Sequence, residues 1–155
     1  MSFRRKVCLV ALPALIAVAS GTVPGAAHDG AKGVVKERMD AMKDMSRASK
    51  TLSEMFKGER KYDPILATRL ATEIATDTDK LQGMFPPGST EAPSRTLPSA
   101  WTDRKGFVDA FAALKSEALK LAQTAQGGSQ REAMVQFFRM SRSCSSCHRS
   151  YRARD

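Results

Sequence analysis

The sequence predicts an all-α protein: an antiparallel, up-down-up-down four-helix bundle with a haem c covalently bound near its C-terminal end. Three observations carry this. Apolar residues recur at helical spacing in four separate segments. No stretch alternates apolar and polar residues as a half-buried strand would. In the last segment, "SCSSCHRSYR" at 143–152 sets Cys144 and Cys147 in a C-x-x-C pair with His148 directly after it.

Each segment has its own punctuation. The first is expected over about 30–57, with Val35, Arg38, Met42, Met45, Leu52 and Phe56 on its inner side and Gly58 as its stop. The second opens at "YDP", where Asp63 suits the N-cap and Pro64 the first helical position. Ile65, Leu66, Leu70, Ile74 and Leu81 form its apolar face. It stops before "GMFPPGSTEAPSRTLPS", which holds Pro86, Pro87, Pro93 and Pro98 and reads as a loop. The third follows Trp101, with Phe107, Phe111, Leu114, Ala118 and Leu121 as its stripe and "GG" at 127–128 as its end. The fourth begins with a capping box, Ser129 with Glu132, and runs through Met134, Phe137, Phe138 and Ser141 into the cysteine motif. Amphipathic helices without strands pack as a bundle.

The opening, "MSFRRKVCLVALPALIAVASGTVPGAAHDG", has a basic start (Arg4, Arg5, Lys6), an apolar run from Val7 to Ala19 and then small residues. This is the pattern of a secretory signal peptide over 1–27, cleaved after Ala27 or, alternatively, after Ala19. The run is too short to span a membrane, and Pro13 argues against an uncleaved anchor. Cys8 would leave with it. Residues 28–155 are then one domain by size. They carry 22 basic and 16 acidic residues, a formal charge of +6. That charge serves solubility or, alternatively, makes a docking face: Arg139, Arg142, Arg149, Arg152 and Arg154 crowd the cysteine motif and suit an acidic redox partner. An exported chain has no call to bind nucleic acid, whatever its charge.

A C-x-x-C pair can be a redox disulfide, half of a zinc site or a haem attachment point. A structural zinc needs a second ligand pair, and the chain has only Cys8 and His28 besides the motif. A thioredoxin-type pair sits where a helix begins after a strand, whereas this one lies late in a helix. "CSSCH" supplies everything that haem c needs: Cys144 and Cys147 for the two thioethers, His148 for the proximal face of the iron. Cys144 and His148 lie four apart on one helical face, so one helix can hold both. On the distal side Met39, Met42 and Met45 are candidates by spacing, with ordinary core packing as the alternative for each. No nucleophile–base or carboxylate pair suggests an enzyme.

The chain resembles the class II cytochromes c, the superfamily of cytochrome c prime and its low-spin relatives. The resemblance covers nearly all of 28–155. It rests on "CSSCHRSYR", on "AWTDRKGF" before the third helix, on "MFPPGS" after the second and on "KGERKYDP" between the first two. In "VVKERMDAMKDM", Arg38 matches the family's basic residue one turn before the distal position, and Met42 matches that position. The resemblance therefore implies Met42 as sixth iron ligand, with Met39 and Met45 as fallbacks, each about 60° around the helix from it. It implies Arg38 either as a haem propionate contact or as a solvated helix residue. It allows a homodimer through the first two helices, and gives Tyr151 and Arg152 a place beside the haem or, alternatively, a helix-end staple. The expected function is a periplasmic electron carrier with low-spin His/Met iron. The rival is a five-coordinate or ligand-displaceable protein, similar to cytochrome c prime, that binds nitric oxide or carbon monoxide.

Overall fold

The computed structural model describes residues 30–154. The expected signal peptide at 1–27 lies outside them. Five helices follow in order: α1 Gly33–Lys57, α2 Pro64–Gln82, α3 Ser99–Thr102, α4 Arg104–Gly127 and α5 Gln130–Tyr151. The four long ones make an all-helical bundle. Among the described residues there is no strand, only an isolated bridge between Thr96 and Arg152.

Most helix ends fall where local chemistry puts them. Gly58 adopts φ 79°, a left-handed conformation open to glycine, and its N–H donates to the Met55 carbonyl to stop α1. Asp63 caps α2 by accepting from the N–H groups of Ile65 and Leu66. Ser129 and Glu132 form the capping box that starts α5. The third segment, expected after Trp101, is α4, and a short turn not anticipated precedes it. Trp101 sits in the single turn α3, and Asp103 breaks the chain by capping α4, its carboxylate accepting from the Gly106 N–H at 3.1 Å.

α2 and α4 form the most extensive helix pair. Both bring alanines to the interior: Ala67, Ala71 and Ala75 from α2, Ala118, Ala122 and Ala125 from α4. Small side chains let the backbones approach, and Thr68 of α2 reaches the Ala122 carbonyl across the seam at 3.4 Å. At one end Phe85, Phe107, Phe111 and Tyr151 form a linked aromatic cluster with centroids 4.9–5.9 Å apart. At the other, Phe56 packs on Phe137 with centroids 5.3 Å apart, tying α1 to α5. Between these ends α1 and α5 stand apart.

Candidate haem site

The gap between α1 and α5 contains two adjoining cavities of about 450 and 570 Å³. Met42, Ser46, Phe111, Cys147 and His148 border both, so the two volumes meet at the cysteine motif. The first has a polar rim: Arg38, Lys43, Arg95 and Arg152 stand round it. The second runs inward along an apolar wall of Met45, Ile74, Leu114, Phe137 and Met140, and reaches Cys144. A flat macrocycle with one charged edge and one apolar edge matches this division.

The donor chemistry fits haem c. Cys144 and Cys147 are unpaired thiols, partly buried on α5. Burial raises both, and Cys147 is pushed up to about 11 by burial and by its neighbour Cys144. Both are reduced and unpaired, as addition of a thiol across a haem vinyl group requires. His148 is shifted the other way, first by desolvation and then by the Arg152 charge. Its imidazole is neutral at physiological pH, as an iron ligand must be. All three side chains come from one helix whose four-residue repeat aligns Cys144 with His148.

Arg38 lies on the inner side of α1, as its spacing predicts. It is only 3 % exposed, so it is no solvated helix residue. Its guanidinium lies 4.9 Å over the Phe85 ring. One terminal nitrogen donates to Ser89 Oγ at 2.8 Å and to the Met84 carbonyl at 3.4 Å. The other donates to the Ser89 carbonyl at 2.6 Å and to Ser94 Oγ at 2.5 Å. Arg38 thus borders the cavity while gripping the loop between α2 and α3.

That loop also grips the far end of α5. The Leu97 N–H donates to the Tyr151 carbonyl at 2.9 Å, and the Ala153 N–H to the Arg95 carbonyl at 2.8 Å. The Arg95 side chain adds a bond to the Ala153 carbonyl at 2.7 Å, and Ser99 Oγ one to the Ser150 carbonyl at 2.7 Å. Tyr151 Oη donates to Asp103 at 2.8 Å while its ring packs edge-on against Phe107. The bond to Asp103 is the main reason that the Tyr151 phenol is raised to about 12. Tyr151 fits both readings: it borders the first cavity beside Cys147 and His148, and it staples the end of α5. Asp103 was not anticipated, although an Asp before a helical stripe is a capping signal.

Residues 33–152 match the family model described as Cytochrome C'. The chain belongs to the cytochrome c prime family. It is similar to cytochrome c' of Rhodopseudomonas palustris, 34 % identical over 124 residues, covering 78 % of this chain and 82 % of that one. It is similar to cytochrome c-556 of Agrobacterium tumefaciens, 29 % identical over 121 residues, covering 77 % and 97 %. The solved structure of the Rhodopseudomonas palustris cytochrome c' superposes with a TM-score of 0.75 at 29 % identity, covering 81 % of this chain and 99 % of that one. As a cytochrome c prime, the chain carries one covalently attached haem c and its iron.

Membership corrects one expectation. Cytochromes c prime typically hold a high-spin, five-coordinate iron. The low-spin electron carrier with His/Met-ligated iron does not stand against that. The geometry gives the physical reason for the misreading. Met39 and Met42 border the first cavity, Met42 and Met45 the second, and Met45 is also core. Methionine packs an apolar wall as readily as it binds iron, so helical spacing alone does not separate the two roles.

Proposed function

We propose that this cytochrome c prime binds a diatomic gas, nitric oxide or carbon monoxide, on the open distal face of a five-coordinate haem. The observation that carries the reading is family membership joined to the shape of the site: a cavity with one imidazole, His148, at its shared wall, a basic rim at one end and methionine and aromatic side chains further in. Cys144 and Cys147 fix the haem covalently, and His148 takes its proximal side. The haem supplies an electron-rich iron with one vacant position when reduced.

The chain's own residues decide what reaches that position. Met42, Met45, Phe111 and Leu114 form an apolar distal wall that disfavours water and anions and admits uncharged gases. Met42 serves as wall, crowding the vacant face. Neutral His148 keeps its lone pair for the proximal side, and Arg152 helps to hold it unprotonated. Residues 1–27 direct export and are removed, leaving 28–155 as a periplasmic domain. Arg139, Arg142, Arg149, Arg152 and Arg154 are exposed round the haem end and suit an acidic redox partner that keeps the iron reduced. A homodimer through α1 and α2 would join outer faces patterned with ion pairs such as Lys36–Asp40 and Arg69–Glu73.

The test is an optical spectrum of the haem-loaded protein, oxidised and reduced, with and without carbon monoxide. A high-spin spectrum that shifts with carbon monoxide is expected. A low-spin spectrum untouched by carbon monoxide would overturn the reading. Met42→Ala, which opens the wall, is expected to raise carbon monoxide affinity on the order of tenfold, about 1.4 kcal/mol. Met42→Leu conserves volume and should leave both spectrum and affinity close to the parent.

A further inference from the structure

We infer that Arg38 is a positioning residue for His148, acting through a hydrogen-bonded strap that joins the distal helix to the proximal one. It rests on His148 as the proximal haem ligand and not on which gas binds. The strap is the segment 84–98. Its two ends are held by opposite sides of the haem cavity: Arg38 of α1 grips Met84, Ser89 and Ser94, and residues 150–153 of the α5 terminus grip 95–99.

A path connects them: hydrogen bonds run from Arg38 through Ser94 to Thr96, and Thr96 then lies opposite Arg152 in a bridge whose bonds are made by the flanking Leu97 and Ala153 N–H groups on Tyr151 and Arg95. Ser94 Oγ accepts from Arg38 at 2.5 Å and from the Thr96 N–H at 3.3 Å, and donates to Thr96 Oγ1 at 3.3 Å. Thr96 pairs with Arg152 in the only bridge among the described residues. The Arg152 N–H donates to the His148 carbonyl at 3.1 Å. The path thus ends on the backbone of the iron ligand itself. Beyond that bond the last turn of α5 lacks helical partners: the Ser150 and Tyr151 carbonyls accept from Ser99 and Leu97 of the strap, not from α5 itself. The strap supplies the missing partners, and Arg38 supplies the strap with an anchor on α1.

This role differs in kind from a propionate contact, which needs only a positive charge near the macrocycle edge. The clamp needs the planar fork, because two nitrogens serve four acceptors. Lysine keeps the charge and loses the fork.

The experiment compares haem-loaded, reduced parent protein with Arg38→Lys, Arg38→Leu and Ser94→Ala, without any gas present. Two readouts are taken: amide exchange at Leu97 and Ala153, and the iron–histidine stretching band by resonance Raman. All three variants are expected to speed exchange at both amides on the order of tenfold and to shift or broaden the band. Faster exchange confined to 84–94 would overturn the inference, since the loosening would then stop short of the proximal turn. Parent-like behaviour of Arg38→Lys would also overturn it, because charge alone would suffice. Should Arg38→Leu fail to fold, Ser94→Ala decides, for it cuts the path while leaving the Arg38–Ser89 bonds and the charge in place. A protein that binds no gas would sink the proposed function and leave these readouts untouched.

Discussion

The α2–α4 seam and the α1–α5 seam belong to one bundle and do opposite things. The first is closed, with alanines on both sides and an inter-helix ion pair, Lys115 with Asp79, at its exposed edge. The second is hollow over much of its length, and its wall is built of methionine, serine and the cysteine motif. Close packing in the one supplies rigidity that the other forgoes. A protein interior tolerates few empty volumes, so a cleft of this size marks a place reserved for a large cofactor.

The largest break in this comparison comes from the hollow seam. Replacing Cys144 and Cys147 together by alanine should abolish covalent haem attachment. Haem stain after a denaturing gel checks this, and a stained band would exclude both as the thioether sites. The closed seam should respond to the reverse operation. Ala71→Leu adds volume at a fully buried position and should cost about 1–3 kcal/mol by denaturant unfolding. A neutral result would mean that α2 and α4 are not tightly packed there. The smallest effect is at the start of α5. Ser129→Ala removes the capping box and should cost about 1 kcal/mol. The box also depends on pH. The Ser129 N–H and Oγ both donate to Glu132, which holds its carboxyl below the ordinary 4.5. Its contribution is present above that value and is lost as pH falls through the lowered one. The stability gap between parent and Ser129→Ala should therefore narrow in acid.

The helices were legible because their signals are local. Asp63, Ser129 with Glu132, and Gly58 each act within a turn of their own position, and each does what its residue type suggests. The cysteine motif was legible for the same reason, being five consecutive residues. The strap was not. Arg38 meets Ser89 and Ser94 across 51 and 56 positions, and nothing in a helical arginine names a serine that far away. Its place on the inner side of α1 was periodic, but periodicity does not say what a buried guanidinium binds. The proposed vacancy of the distal face was illegible for another reason: a methionine that lines a haem pocket and one that binds the iron look alike in a sequence.

Chain order gives the two seams different histories. Synthesis proceeds from the N-terminal end, so α1, α2 and α4 all emerge before Cys144 does. The alanine seam can close while the cysteine motif does not yet exist. The other seam has to wait for α5, and residues 150–153, which latch the strap, come later still. The residues that latch the strap follow the cysteine motif along the chain, so the attachment residues are in place before the latch is.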